Sequence, residues 1–553
     1  MITRLKEQRP GAEDRVVHMQ RARESQTTWP ESGAVAATVL GITPHRRPGL
    51  GPVLASALGS FALSLLLLPR VPGLGDSAEF TLALALAGVP HPTGYPLYVL
   101  VGHPFVLVLH ALGASWVTAA NLWSAVGAAV AAGAYARLVQ HLSAAGSVAE
   151  PAGASQSAAI RTAMAATPVL LLLLNPVWIA SATVAEVYGW SQAWIAAAAA
   201  FGVGWLHRLG AAGAGPGDGA AADRRAALQW GVMCGLGAAH HATAAFFAVP
   251  LSLALIAALG QAGRWQWRFL LALIPAAAIP AGGALWIAWR AAHPAAFQWP
   301  VEADAASVWQ HMRGAVYGRY LGRFAPRPAE WALIRAAVLP WLLPGLVLAA
   351  FHALRLPRSL RWGVLALVGG AALLTAFVVS YGAPDPAMYF VPALMVALLA
   401  VVPAMAWTAR RATPRVAVAL AMGVSIALAS WSLPRAVRER ARLVGVDARI
   451  RAAWRSVPFE RGIVLWRDDH YYRLKLFQLL EGQRPGLYVD NPIDLAWPVR
   501  RAAFARRFGF DPLDGRELRS RDEVRLIPQI IARRSPLPVV DFPALIERQP
   551  RVP

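Results

Sequence analysis

The 553-residue chain is 57% hydrophobic and only 15% charged, with a mean hydropathy of +0.44. That composition excludes an ordinary soluble enzyme and is typical of a protein that crosses a membrane several times. The formal net charge is +22, but the arginines form short clusters between apolar segments, so we expect no nucleic-acid partner. The single cysteine, Cys234, excludes an intramolecular disulfide and a thiolate metal cluster.

Residues 1–48 are polar and arginine-rich and contain no apolar segment. They lack the hydrophobic core of a cleaved signal peptide, so we expect a disordered cytoplasmic tail in front of an uncleaved first span.

Apolar segments that could span a bilayer, which takes about 17 to 25 residues, follow this tail. They lie near 50–68, 116–139, 162–178, 189–207, 269–290, 335–355, 361–381, 388–407 and 414–433. The segment 228–259 is too long for one simple helix and is interrupted by AAHHAT (238–243) and Pro250, which favours two spans or a broken helix. The sequence therefore predicts an α-helical polytopic membrane protein with about eleven spans.

The arginine clusters fall on one side of the membrane if residues 97–113 do not cross it. That segment is short and contains His103 and Pro104, which favours an interfacial or re-entrant helix. The arginine-rich side is then cytoplasmic. The opposite, external side receives the segments 69–115, 179–188, 291–334 and 382–387.

An odd number of crossings also places the C-terminal segment 435–553 outside. Its arginines between 435 and 442 oppose this placement, although long domains translocate largely regardless of charge. Strand patterns at 462–466 and 486–490 and helix patterns at 471–483 and 522–534 predict a small α/β domain. The segment has no glycine-rich phosphate loop, so we assign it no nucleotide. The predicted organisation is a tail (1–48), a membrane domain (49–434) and an extracytoplasmic domain (435–553).

Two carboxylates directly follow the first span. Asp76 and Glu79 occur in GDSAEF (75–80), and a helix would place both on one face. Such a pair could bind a cation or act as a base toward a hydroxyl. It could equally be a helix start, with Asp76 or Ser77 as the N-cap and Glu79 in the first turn. The sequence leaves these alternatives open.

The segment PHPTGYP (90–96), which includes His91 and Tyr95, has prolines on both sides of a glycine. Irregular backbone at membrane depth is tolerated where it is buried in protein or lines a cavity, so we expect a cavity wall. Glu186 stands at the external start of a later span and is expected at the interface or in the same cavity.

Other polar residues of the membrane domain are more ambiguous. His240 and His241 lie within an apolar segment, and adjacent histidines diverge on a helix, so they favour a hydrogen-bonded pair over a shared metal ion. Arg313 and Arg319 of the external segment 309–324 could bind lipid headgroups or a substrate phosphate. Asp385 is a tight-turn residue by default.

Six motifs occur in an order that resembles the multi-pass glycosyltransferases related to the animal transmembrane protein O-mannosyltransferase. The resemblance covers about 75–435, with one departure at Ala78, where the family more often has glycine. The motifs are GDSAEF, GVPHPTGYPLY (88–98), NLWSA (121–125), AEVYGW (185–190), GLGAAHHAT (235–243) and RGAVYGRY (313–320). The segment 462–490 also resembles the region that follows the membrane domain in bacterial members.

The resemblance implies a glycosyltransferase of the C type in a bacterial inner membrane. Such enzymes take a sugar from a polyprenyl-phosphate carrier, here suggested to be mannose, and pass it to a protein or glycan hydroxyl on the extracytoplasmic side. Asp76 would be the base or acceptor-orienting carboxylate, helped by Glu79 and Glu186, and Arg313 with Arg319 would neutralise the phosphate. The remaining expected substrate-binding residues are His91, Tyr95, His240, His241, Tyr317 and Asp385.

The resemblance leaves a divalent metal requirement open, and no other cofactor is expected beyond the lipid-linked sugar. A polytopic transporter or flippase of a lipid-linked or anionic substrate would also combine broken helices, intramembrane histidines and acidic residues. Such a transporter would be expected to carry matching glycine- and proline-interrupted segments in two halves, whereas the sequence shows one such segment.

Overall fold

The computed structural model describes residues 49–146, 158–211, 219–383, 386–467, 469–517 and 521–542. The predicted cytoplasmic tail and Asp385 lie outside these ranges. Within them the protein is mostly helical, and a small parallel sheet lies near the C-terminus.

The membrane part consists of α-helices, several of which are extended by short 3₁₀ turns. The helices are α1 (Leu50–Leu67), α2 (Ser77–Leu86), α3 (Pro96–Ala111), α4 (Trp116–Gly146), α5 (Ala158–Leu173), α6 (Pro176–Thr183), α7 (Tyr188–Ala211), α8 (Gly219–His240), α9 (Ala245–Gln261), α10 (Leu273–Ala292), α11 (Ala305–Met312), α12 (Pro328–Ala337), α13 (Leu339–Ala353), α14 (Arg358–Ser380), α15 (Val391–Leu398), α16 (Val401–Arg411) and α17 (Pro414–Arg455).

Seven of the described helices are long and apolar enough to cross a membrane, and nine spans result if each of two bent helix pairs counts as one. This confirms the polytopic helical fold class, with fewer certain spans than the predicted number of about eleven. The bent pairs are α5 with α6, at 66°, and α12 with α13, at 42°. Two further helices, α7 and α8, lie at predicted spans and are long enough to cross a membrane, but their sequences are not apolar enough.

The composition of α7 and α8 follows from their position in the bundle. Helix α7 packs against α4, α9 and α14, and its buried face consists mainly of alanine, with Val203 and Leu206. A helix surrounded by protein can use small residues that permit close approach, because it does not need a lipid-facing apolar surface. Helix α8 contains Asp223, which is buried and paired with Arg264 at 2.7 Å.

Two short helices follow the first span on the predicted external side. Helices α2 and α3 are only 10 and 16 residues long. The length of α3 agrees with the prediction that residues 97–113 do not form a simple span. These two helices and the irregular segment between them carry most of the candidate site.

The C-terminal segment forms the predicted small α/β fold. Its elements are β1 (Gly462–Trp466), α18 (Tyr471–Leu479), β2 (Leu487–Asp490), α19 (Pro498–Phe508), α20 (Leu526–Arg534) and β3 (Val539–Phe542). The strands are parallel in the order β2-β1-β3. All five residues of β1 are buried, as expected of a central parallel strand covered on both faces. The sequence patterns did not indicate α19 or β3.

Helix α17 connects the membrane part to this sheet without a break. It is 42 residues long and continues through Pro434, so the last predicted span (414–433) is only its first half. The second half packs against α18, and Val446, Ile450 and Trp454 share a buried cluster with residues of the sheet and α18.

We predict that the C-terminal domain is extracytoplasmic. In a Cys234→Ser background, an impermeant maleimide applied to intact cells should label Gln529→Cys, an exposed position of α20, but not Gln261→Cys, an exposed position in a predicted cytoplasmic loop. Permeabilised cells should label both. Labelling of Gln261→Cys alone in intact cells would contradict this prediction and indicate the opposite orientation in the membrane.

Candidate active site

Asp76 lies at the start of α2 with its side chain 44% exposed. It occupies the N-cap position, but its side chain makes no capping hydrogen bond. The hydroxyl of the next residue, Ser77, instead accepts a hydrogen bond from the Gly73 N–H at 3.0 Å. The structure therefore does not support a capping role for the Asp76 side chain, and its carboxylate remains available to a substrate.

Glu79 is buried one turn along α2 and is bound by His91 of the PHPTGYP segment. One carboxylate oxygen accepts the His91 backbone N–H at 2.7 Å, and the other contacts His91 Nδ1 at 2.8 Å. Its side chain is only 1% exposed. Because both oxygens are engaged, Glu79 holds His91 in place.

His91 lies between the two carboxylates. Its Nε2 is 3.8 Å from Asp76 Oδ2 and 3.3 Å from the Tyr95 hydroxyl. Burial by itself would lower the pKa of His91, but the charges of Glu79 and Asp76 and the hydrogen bond to Glu79 raise it to about 10. His91 is therefore an imidazolium at neutral pH and supplies a buried positive charge beside Asp76.

The pKa of Asp76 reflects opposing influences. Burial raises it above the usual value for a carboxyl, the positive charge of His91 works against that rise, and the negative charge of Glu79 adds to it. A carboxylate with a raised pKa is a stronger base, provided that it is still ionised at the working pH.

The irregular backbone of the PHPTGYP segment brings His91 and Tyr95 back toward α2. Gly94 and Tyr95 both have left-handed backbone conformations, with φ of 79° and 43°. A side chain at Gly94 would also approach Ile287 and His311 to within about 3 Å. Glycine is therefore required at this position by conformation and by packing. The segment contributes His91 and Tyr95 to the site, and its role as a cavity wall stays a prediction.

Aromatic rings surround the His91 imidazole. The ring centroids of Phe80, Tyr95 and Tyr317 lie 5.3, 5.3 and 6.3 Å from it. Tyr95 in turn lies 5.7 Å from the ring of His241. The site thus brings residues from four of the sequence motifs into one continuous cluster.

Glu186 is buried near the same site. Its main chain is fixed by Ser124 of NLWSA, whose hydroxyl accepts the Glu186 N–H and donates to the Glu186 carbonyl, both at 2.9 Å. The carboxyl interacts electrostatically with Asp76, His91 and Glu79. That Glu186 faces the same cavity as Asp76 stays a prediction.

The two adjacent histidines have different partners, because α8 ends at His240 and His241 has an extended backbone conformation. His240 Nε2 is 3.1 Å from the carbonyl oxygen of Val187. His241 Nδ1 accepts hydrogen bonds from the Thr243 N–H and hydroxyl, and its ring lies near Tyr95 and Tyr188. His241 therefore lies beside the aromatic cluster, whereas His240 ties α8 to the start of α7.

The predicted phosphate-binding arginines are only partly defined. Arg313 ends α11 and is exposed, and no described residue forms an ion pair with it. The side chain of Arg319 and the whole of Asp385 lie outside the described part of the chain.

Sequence reasoning missed His311, two residues before Arg313. His311 is buried beside Gly94, and burial together with the nearby His91 charge lowers its pKa to about 3. Its Nε2 has no hydrogen-bond partner among the described residues. The sequence feature that could have indicated His311 is its place in WQHMRG (309–314), two residues before the motif RGAVYGRY begins.

The site could also hold a cation. Ligand atoms of Asp76, Glu79 and His91 lie within 4.8 Å of one another. Binding through His91 Nε2 would require that nitrogen to lose its proton, because a metal-bound imidazole must be neutral, while Nδ1–H could keep its contact with Glu79.

Comparison with known proteins finds a family model that matches part of the chain. Residues 76–262 match the family model described as Protein O-mannosyl-transferase TMEM260 N-terminal domain. The match covers about a third of the chain and begins at Asp76. It confirms, over the matched segment, the resemblance to transmembrane O-mannosyltransferases that the motifs predicted. No curated protein matches the chain.

Solved structures with a similar chain path include ArnT from Cupriavidus metallidurans, bound to undecaprenyl phosphate and in the apo state. Both share 14% identity with this chain at a TM-score of 0.47; the first alignment covers 82% of this chain and 92% of ArnT, and the second 84% and 91%. Another is the archaeal oligosaccharyltransferase AglB from Archaeoglobus fulgidus, in complex with an inhibitory peptide and a dolichol-phosphate. It shares 12% identity at a TM-score of 0.42, covering 76% of this chain and 63% of AglB.

The charge of His91 predicts a specific pH dependence. Because His91 lowers the pKa of Asp76, His91→Gln should move the acidic limb of the kcat/KM profile for sugar transfer to higher pH. His311→Gln should not move it, since His311 is already neutral above pH of about 3. The profiles should be measured from pH 4 to pH 9, and coincident acidic limbs for His91→Gln and wild type would contradict this assignment.

Proposed function

We propose that this chain is an integral-membrane glycosyltransferase that moves a sugar from a polyprenyl-phosphate donor to a hydroxyl acceptor. The observation that carries the proposal is the arrangement of Asp76, Glu79 and His91. One carboxylate is accessible, the other is buried, and an imidazolium connects them. The family match begins at this site, which supports its use in transfer chemistry.

In the proposed reaction Asp76 acts as the general base. An acceptor hydroxyl oxygen attacks the anomeric carbon of the donor, and its proton passes to the Asp76 carboxylate. The bond between the anomeric carbon and the phosphate oxygen breaks, and the electron pair leaves with the polyprenyl phosphate. Proton transfer accompanies attack, because a carboxylate cannot deprotonate a free hydroxyl beforehand.

Glu79 and His91 support Asp76 in its role as the base. The imidazolium of His91 favours the ionised form of Asp76, and Glu79 fixes the orientation of His91 through two hydrogen bonds. We therefore assign Glu79 to positioning His91 instead of contacting the acceptor. Glu186, held by Ser124, remains a candidate for orienting the acceptor.

We infer that the donor sugar binds beside this cluster, next to a small cavity whose lining includes Tyr188, Gln192, His241 and Tyr389. Gln192 Oε1 is buried without a hydrogen-bond partner among the described residues, so it can accept a bond from a sugar hydroxyl. Aromatic faces with a few fixed polar groups suit a sugar ring. The resemblance favours mannose.

Arg313 is the proposed phosphate-binding residue. A guanidinium matches the geometry of phosphate oxygens and can stabilise the charge that develops on the leaving group. Arg313 immediately follows His311 and Met312 at the end of α11, and His311 packs against the PHPTGYP segment. Arg319 is a second candidate from the same motif.

We propose that the protein resides in a bacterial inner membrane, with a cytoplasmic N-terminus and the site on the extracytoplasmic side. The acceptor is then a protein or glycan hydroxyl outside the cytoplasm. The distribution of arginines supports this orientation, because the clusters fall opposite the segments that carry Asp76, Glu186 and Arg313.

The first test is Asp76→Asn, which keeps the side-chain shape but cannot accept the proton. Sugar transfer should fall by at least about 10²-fold, as is typical for loss of a general base. The measurement is transfer by membranes that contain matched amounts of wild type and variant. Asp304→Asn is the control, since Asp304 is an exposed external acid whose side chain caps α11, and asparagine caps as well as aspartate. Turnover near the wild-type level in Asp76→Asn would move the base elsewhere.

The second test is Arg313→Ala. Loss of a charge-assisted phosphate contact should raise the apparent KM for the lipid-linked donor by about 10-fold or more, with a smaller effect on the KM for the acceptor. Both constants should be measured on correctly inserted protein. Arg268→Ala removes an exposed arginine from the predicted cytoplasmic side and serves as the control. An unchanged donor KM in Arg313→Ala would exclude this contact.

A further inference from the structure

The loop that leads to Asp76 is held from both sides by buried side chains. On the membrane side, Asn121 of NLWSA donates to the Pro69 carbonyl at 3.0 Å and accepts the Ala185 N–H at 2.7 Å. Asn121 therefore ties the start of the loop to the segment that carries Glu186. Its burial is complete, so these bonds do not compete with water.

On the other side the loop is held by the C-terminal domain. Arg473 of α18 is only 1% exposed, and its Nη2 donates to the carbonyls of Pro72 and Gly73, both at 2.8 Å. Its Nη1 binds Asp447 of α17 at 3.0 Å. The guanidinium, 400 residues from Gly73 in sequence, thus joins two main-chain oxygens of the loop to a carboxylate of α17.

Gly73 transmits this restraint toward Asp76. Its N–H donates to Ser77 Oγ in the first turn of α2, and a side chain at Gly73 would approach Val184 to 2.9 Å. The backbone of Gly73 is therefore bounded by Arg473, Ser77 and the chain near Val184. Asp76 lies three residues further on, directly before Ser77.

We propose that Arg473 is a positioning residue, through which the C-terminal domain holds the 70–76 loop and thereby places the Asp76 carboxylate. This inference rests on the proposed function for its effect on turnover, but the restraint of the loop is independent of it. Without the guanidinium, two loop carbonyls lose their donor, and the loop can relax away from the reacting geometry. A displacement of about 1 Å can cost a large part of an enzyme's rate.

The test compares Arg473→Lys and Arg473→Met with Arg484→Lys. Arg484 is the matched control, because it also donates to main-chain carbonyls, those of Val457 and Phe459, but entirely within the C-terminal domain. Hydrogen exchange of the peptide that covers residues 70–77 reports on the loop, and exchange of β1 reports on folding of the C-terminal domain.

We expect faster exchange in the loop for both Arg473 variants, with exchange of β1 close to wild type. The kcat for sugar transfer should fall about 10-fold or more in Arg473→Met, on the scale of an unsatisfied buried group, while the donor KM changes little. Arg473→Lys should lose less, since an ammonium can still donate to the loop carbonyls. Arg484→Lys should leave loop exchange unchanged.

Loop exchange equal to wild type in Arg473→Met would overturn the inference. It would also be overturned if loop exchange rose only in step with β1 exchange, as it would in any variant that destabilises the C-terminal domain. Lack of transfer by the wild type would defeat the proposed function, but the exchange measurements would still decide whether Arg473 holds the loop. Normal turnover in Arg473→Met alongside a loosened loop would show that the loop does not position Asp76.

Discussion

The site depends on the pairing of a buried imidazolium with two carboxylates. A positive charge at His91 is tolerated in this enclosed position because Glu79 binds it directly and Asp76 lies nearby. The pairing gives the two carboxylates different roles. Glu79 has both oxygens occupied, so Asp76 is the carboxylate that remains open to a substrate.

Segments from most of the chain are needed to build this arrangement. The irregular PHPTGYP segment returns His91 to α2, NLWSA fixes the segments around Pro69 and Glu186, and α18 holds the loop from outside. Each contact joins backbone that has no regular hydrogen-bonding partner to a buried polar side chain. Loops can hold a site accurately under these conditions because neighbouring elements satisfy and restrain their main chain.

Patterns of short range predicted much of the fold. Apolar length located the spans, and short segments rich in β-branched and aromatic residues located β1 and β2. Contacts distant in sequence were not predictable, because periodicity carries no information about them. The pairing of His91 with Glu79 depends on an irregular turn, and Arg473 meets Gly73 across 400 residues. Apolar length gave about eleven spans, whereas seven described helices, or nine spans with the two bent pairs, are long and apolar enough to cross a membrane.

The motif resemblance added what local patterns could not supply, namely a role for Asp76. From the local sequence, Asp76 could be either a helix cap or a reacting group, and in the structure its side chain makes no capping hydrogen bond.

The most direct test is the fate of the lipid carrier. Purified protein in proteoliposomes should be supplied with a polyprenyl-phosphate mannose labelled in both the sugar and the phosphate. An acceptor extract from the membranes in which the protein was produced should be added. One free polyprenyl phosphate should be released for each sugar that appears on an acceptor. Intact donor that crosses the bilayer without cleavage would contradict the proposed function and identify a transporter.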